Sequence, residues 1–179
     1  MNFIQKYSFK KSVSRFIALK NKEKICVCSL EEAHSVGILY TFESPEALEQ
    51  LLKSVQVLRK NKDTVVVYCY ISKEQKISIN HKEECVFISE KDFNFVGVLK
   101  KEMLGLIQKH SFDILINLNR KDTLISVYLA GKIKAKFRIG RCDESKEYCD
   151  IVIYSSNENY SMEEYFHSIN EYSKKITCQ

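Results

Sequence analysis

Residues 111–140 (SFDILINLNRKDTLISVYLAGKIKAKFRIG) constrain the fold more than any other stretch of this chain. Phe112 to Leu118 is a short, mostly apolar run. Such a run, lacking polar alternation, suits a strand covered by helices on both faces of a parallel sheet. Asn119, Arg120, Lys121 and Asp122 interrupt it with turn formers, and Asp122 is placed to cap a following helix. Leu124, Ile125, Tyr128 and Leu129 recur at helical spacing, and Gly131 suits the left-handed position after a helix end. From Lys132 the period changes to two. Ile133, Ala135, Phe137 and Ile139 share one face, and Lys132, Lys134, Lys136 and Arg138 share the other. This second strand is expected near a sheet edge with a wet basic face, whose charges discourage edge-to-edge pairing. A hairpin turning at Gly131-Lys132 is the competing reading, because Thr123, Ile125, Val127 and Tyr128 favour strands. The crossover makes the pair parallel; the hairpin makes it antiparallel.

The rest of the chain repeats the strand–helix alternation. Ser35–Phe42 and Thr64–Ile71 read as buried strands on either side of a helix that starts at Ser44-Pro45 and carries Leu48, Leu51, Leu52, Val55 and Leu58. Short strands are expected at Lys76–Ile79 and Cys85–Ser89. A helix follows around Leu99–His110, with Leu99, Met103, Leu106 and Ile107 inward. The last strand is Cys149–Tyr154. The last helix opens on a Ser161…Glu164 capping box and repeats Met162, Tyr165, Phe166, Ile169, Tyr172 and Ile176. These elements predict an α/β, three-layer domain: a mostly parallel central sheet with helices on both faces, wound in a Rossmann-like or flavodoxin-like way.

The net charge of +5 is unevenly placed. Residues 1–24 hold seven Lys/Arg and one acid, a balance of +6, which leaves −1 for the remainder. Residues 1–24 therefore form a basic amphipathic N-terminal segment, helical over 3–19 and interrupted near Ser8 or Ser12. Residues 25–179 form a single α/β domain. The segment either docks its apolar side on the domain or lies on an anionic surface.

Phe112-Asp113-Ile114-Leu115-Ile116-Asn117, Ala135-Lys136-Phe137-Arg138-Ile139-Gly140 and Lys91–Gly97 (KDFNFVG) resemble the pattern of an uncharacterised bacterial domain-of-unknown-function family. The resemblance covers the second half of the chain and implies no activity and no catalytic residues. The aspartate-bearing strand leading to Arg138-Ile139-Gly140 is also similar to one half of heptosyltransferase-type glycosyltransferases. Those enzymes need two such domains, so the similarity implies a fold and no function.

The chemistry-bearing residues exclude more than they offer. The turn Thr41–Pro45 has no glycine and carries Glu43, which disfavours pyrophosphate at the first strand–helix junction. With five glycines in all, no Walker-type loop is present. No cofactor is expected. The four histidines are scattered, and although Cys26 and Cys28 could meet Cys142 and Cys149 in space, neither spacing is a zinc pattern, so no metal site is expected. Seven cysteines without a secretory signal point to reduced thiols in a cytoplasmic protein. No apolar run reaches the roughly 18 residues of a membrane span. No nucleophile has an evident base partner.

Two functions remain. The preferred one is a non-catalytic binding or interaction protein, its partner a protein, with a weak anionic-surface contact through the N-terminal segment. The basic face of Lys132, Lys134, Lys136 and Arg138 lacks the stacking aromatics of a nucleic-acid binder, so nucleic acid is not expected. The alternative is a small-molecule-binding protein or enzyme using the crevice at the carboxyl ends of the strands, where Thr41, Ser72, Asp92, Asn119 and Ser155 are expected.

Overall fold

The computed structural model describes residues 2–72, 85–154 and 161–177. Six strands form one sheet: Ser35–Thr41 (β1), Thr64–Ile71 (β2), Cys85–Ser89 (β3), Ser111–Asn117 (β4), Lys134–Gly140 (β5) and Ile151–Val152 (β6). They lie in the order β3-β2-β1-β4-β5-β6, and every pairing is parallel. That is the Rossmann order, with its switch point between β1 and β4. The strand expected at Lys76–Ile79 lies outside the described residues.

Residues 124–130 settle the competition within the organising stretch. Leu124–Ala130 is a helix (α4) crossing from β4 to β5, and the hairpin does not form. Two details differ from expectation. Thr123 is the cap, its hydroxyl accepting from the Ser126 amide at 3.1 Å, and Asp122 is left for other work. Gly131 has a right-handed backbone (φ −71°). It is needed for close approach, since a Cβ there would stand 2.8 Å from the Phe16 ring.

The two sheet faces are covered unequally. Pro45–Arg59 (α2), capped by Ser44, and Met162–Thr177 (α5) pack on one face through Leu48, Leu51, Leu52, Val55, Tyr165, Phe166 and Ile169. Phe3–Lys20 (α1), Lys101–Gln108 (α3) and α4 cover the other face through Phe9, Ile107, Tyr128 and Leu129. Right-handed crossovers require this split, because β1→β2 and β4→β5 step in opposite directions across the sheet. The inward stripes are slightly rotated from the sequence reading. Leu106, Tyr172 and Ile176 are exposed, while Ser173 is buried and its hydroxyl accepts from the Leu30 amide at 3.0 Å.

The N-terminal helix runs unbroken through Ser8 and Ser12 and docks on the domain. Val13, Phe16 and Ile17 pack against the core cluster around α4. Its last residue, Lys20, is buried and meets Asp150 at 2.7 Å, so part of the N-terminal charge is internal. Because Asp150 also accepts from the Arg138 amide at 2.8 Å, the final strand shrinks to the two residues that pair with Ile139 and Gly140.

At the amino ends of the strands, Asp113 ties β1, β4 and β5 together. Its carboxylate accepts from the His34 and Ser35 amides (3.0 Å each), the Ser35 hydroxyl (2.9 Å) and the Lys136 ammonium (2.8 Å). Partial burial raises its pKa, but Lys136 and Ser35 outweigh that and bring it from 3.8 to about 2. The folded value lies below the unfolded one. The resulting stability is therefore fully present above about pH 4 and is lost as pH falls toward 2. Asp113→Asn is expected to flatten the dependence of urea stability on pH in that window, by a modest amount because Lys136 is exposed. Parallel pH profiles for the two proteins would remove this assignment.

Candidate functional site

The carboxyl ends of the strands were the expected crevice, and here the chain fills the space with its own polar groups. Leu118 follows β4 and its amide donates to the Leu39 carbonyl at 2.9 Å, which swings Asn119 toward β1. The Asn119 Oδ1 accepts from the Thr41 amide at 2.8 Å, and both the residue and its unpartnered Nδ2 are buried. Thr41 and Asn119 are thus brought together. Ser72 follows β2, in line with them. Asp92 belongs to a 3-10 turn after β3 at the far edge, where its carboxylate accepts from the Ser89 amide (2.7 Å) and hydroxyl (2.9 Å) as a local cap. Ser155 lies outside the described residues.

Between β4 and β5 the filling is denser. Asp122 stands at its centre. Its Oδ1 accepts from Asn117 Nδ2 (2.8 Å) and the Ser126 hydroxyl (3.0 Å). Its Oδ2 accepts from the Tyr148 hydroxyl (2.6 Å), the Ser145 hydroxyl (2.7 Å) and the Cys142 thiol (3.4 Å). Asn117, Ser126, Cys142, Ser145 and Tyr148 are all buried. Serine, cysteine, tyrosine and aspartate side by side have the makings of an active site, but the serines, the cysteine and the tyrosine are buried and only Asp122 is partly exposed. Burial pushes the Cys142 thiol up to about 11, with Asp122 adding to the effect against the Ser145 hydrogen bond. It pushes the Tyr148 phenol far above its ordinary value, with Cys149 and Asp122 acting in the same sense. Both groups are neutral at pH 7 and lack nucleophilic character. Gly140 admits this cluster, since a Cβ there would overlap Ser145. Sequence reading missed the network because its members come from the end of β4, the start of α4 and the segment after β5.

The first strand–helix turn offers nothing to an anion. Ser44 already satisfies the Ala47 amide at 3.1 Å, and Glu46 sits in the first turn of α2 with its pKa lowered by its own backbone amide and then by Ser44.

The proposed basic face divides. Lys134 and Lys136 are exposed, and Lys132 is half-buried with its ammonium 4.9 Å from the Tyr128 ring centre. Arg138 is not on the surface. Its guanidinium lies under Phe16 of α1 (5.5 Å) and donates to the Ala135 and Ile133 carbonyls at 2.6 and 3.0 Å. The helix that covers it is far away in sequence, so period-two alternation alone assigned it to solvent.

Cys26 and Cys28 precede β1 at the amino ends, where Cys28 lies within electrostatic range of Asp113 and Lys136, while Cys142 follows β5 at the opposite end. The two pairs stand about a strand's length apart and do not meet. Among the described residues, no three metal-ligating side chains converge. No helix of the described residues is long and apolar enough to cross a membrane. A groove of about 710 Å³ runs between α2 and α5, with Leu58 and Phe166 among its walls and Lys53, His167 and Asn170 at its rim.

One surface is unusually apolar. Phe3 (84% exposed), Ile4 and Tyr7 (65%) point outward from the first turns of α1. The loop after the 3-10 turn meets the same end of α1 through its inner side: Gln5 Nε2 donates to the Asn94 carbonyl at 3.4 Å, and the Phe9 and Phe93 rings meet at 5.4 Å. Gly97 takes φ +83°, with the Gln5 Cα 3.2 Å from where a Cβ would stand. This turn presents Phe95 (73% exposed), Val96 and Val98 to solvent.

These features define a doubly wound, all-parallel α/β domain of Rossmann strand order whose strand ends are stitched together by the protein's own side chains. Residues 3–176 match the family of unknown function DUF6913, and the chain belongs to that family. No curated protein matches the chain. Among solved structures, a glycosyl transferase family 9 protein from Veillonella parvula resembles 80% of the chain and 42% of that structure, at 16% identity and a TM-score of 0.45. The chain spans less than half of that protein's length, and a likeness of this extent carries no activity across.

Proposed function

We propose that this domain is a non-catalytic interaction module whose partner docks on the outer side of α1 and the Asn94–Val98 loop. The observation that carries the reading is where large apolar side chains meet water: Phe3, Tyr7 and Phe95 are each mostly exposed, on the first turns of α1 and on the loop that Gln5 of that helix touches. Contiguous exposed apolar surface on a soluble domain marks a contact site more often than isolated exposed residues do. The strand ends, by contrast, hold reactive residues that are spent on one another.

A photoreactive amino acid placed at Tyr7 or Phe95 in cells is expected to give discrete adducts. The same group at exposed Tyr172, on the opposite face, is expected to give none. Absence of both protein and lipid adducts from the first two positions, or equal yield from all three, would sink the proposal.

A second reading keeps the crevice as a small-molecule site, and the buried, unpartnered Asn119 amide beside Thr41 favours it. A thermal-shift screen of nucleotides, sugar nucleotides and acidic metabolites separates the two. A stabilising ligand whose effect vanishes in Asn119→Leu supports the crevice. No shift, or one that Asn119→Leu leaves intact, argues against it.

A further inference from the structure

Resting on the reading of α1 as the working face, we infer that what docks there is the surface of an anionic membrane. The first support is charge. Lys6, Lys10, Lys11 and Arg15 are exposed on α1, and the helix contains no acidic residue from Phe3 to Lys20. None of these four enters the ion pairs of the described residues, unlike Lys53, Lys136, Lys146 and Lys174, which each hold a carboxylate. Positive charge is crowded further at the C-terminal half. Arg15 stands within electrostatic range of Lys132, whose pKa is lowered first by burial and then by Arg15. A cation cluster with no acid of its own invites an external anion.

The second support is the way apolar and basic groups interleave. At 100° per residue, Phe3, Tyr7 and Lys11 fall on the outward line, with Lys10 and Ile4 on either flank. Apolar residues therefore occupy both sides of α1, with Phe9, Val13, Phe16 and Ile17 docked and Phe3, Ile4 and Tyr7 free. A helix apolar on more than one side is ordinarily covered on more than one side. Aromatic side chains between lysines match an interface, where rings enter the acyl boundary and ammonium groups snorkel to headgroups.

The test is flotation of the full-length chain with phosphatidylcholine vesicles, with and without about 30% phosphatidylglycerol. Binding is expected only with the anionic lipid, at about 0.05 M salt, and is expected to fall away at about 0.5 M. Lys10→Glu/Lys11→Glu should reduce partitioning at least tenfold, at about fivefold per lost charge and more for reversal. Phe3→Ser/Phe95→Ser should reduce it several-fold at unchanged salt dependence. Thermal stability should be preserved in both pairs, since all four side chains are exposed. Lys60→Glu/Lys175→Glu, on the other face, should bind as wild type; an equal loss there would mean only net charge is sensed and would overturn the proposal. If the wild type ignores anionic vesicles while positions 7 and 95 crosslink to a protein, the membrane is wrong and the module reading stands. If neither vesicles nor crosslinks report binding, both fall. Salt-sensitive binding to single-stranded DNA without vesicle binding would also overturn the membrane.

Discussion

Asp150→Ala is expected to cost about 3–5 kcal/mol of stability, the range for removing one partner of a buried ion pair. The side chains of Lys20 and Asp150 are 6% and 2% exposed and meet at 2.7 Å. Their attraction in itself is no large gain, because both charges were taken out of water to make it. What matters is the state left behind. Without Asp150 the Lys20 ammonium stays buried at the end of α1, and the Arg138 amide loses its 2.8 Å acceptor. Glu23, exposed and 3.5 Å from Lys20, offsets part of the loss, which places the effect near the lower end. Urea unfolding measures it, and Lys20→Met/Asp150→Leu should recover most of the stability by removing both charges together. The comparison is Lys136→Ala at the exposed pair with Asp113, expected to cost much less because solvent screens that pair. A loss below about 1 kcal/mol for Asp150→Ala would mean that α1 is not anchored through this contact.

The layer order was legible because it rests on local signals. Apolar runs at β1, β2 and β4, the Ser44-Pro45 start and the Ser161…Glu164 box each report a strand or helix within a few residues, and alternation of the two fixes a parallel sheet. What failed required knowing what lies overhead. Arg138 obeys the outward phase of its strand, yet α1 comes back across β5 and buries it beneath Phe16. Gly131 reads as a helix stop by type, and its actual service is to let that same ring approach. The strand expected from Cys149 to Tyr154 is cut short for a related reason, because Asp150 turns inward to meet Lys20.

The candidate site was legible only as a place. Thr41 and Asn119 meet beside the switch point, where the carboxyl-end rule for doubly wound sheets would put a ligand. Sequence spacing could not reveal that the space between β4 and β5 is occupied from within. Asn117, Asp122, Ser145 and Tyr148 converge through hydrogen bonds spanning up to 31 positions, and nothing in their local pattern marks them as partners. The aspartate and arginine of the family-like motif have the same lesson. Asp113 ties strand starts and Arg138 supports the underside of α1, so both serve the fold.

Asp122→Asn is expected to destabilise the domain by about 2–4 kcal/mol although it changes one atom, because the network needs an acceptor-only group at its centre. The carboxylate receives five donors: the Asn117 amide, three hydroxyls and a thiol. An amide supplies one oxygen and one NH2. With its oxygen toward Asn117 and Ser126, the NH2 faces Tyr148 and Ser145, whose hydroxyl protons then need acceptors elsewhere. Turned round, the NH2 opposes the Asn117 Nδ2, which is itself only a donor. Either way a buried donor is left unpaired. Tyr148→Phe removes one donor to the carboxylate and the 2.6 Å acceptor of Asn117 Nδ2, which keeps Asp122 and the Ser145 hydroxyl within reach, so it should cost only about 1–2 kcal/mol. The ranking Asp122→Ala above Asp122→Asn above Tyr148→Phe, read from urea midpoints at a common slope, is the signature of a carboxylate hub. If Asp122→Asn proves no worse than Tyr148→Phe, the amide is accommodated by rotated hydroxyls or water, and the strand-end filling is looser than its short hydrogen bonds imply.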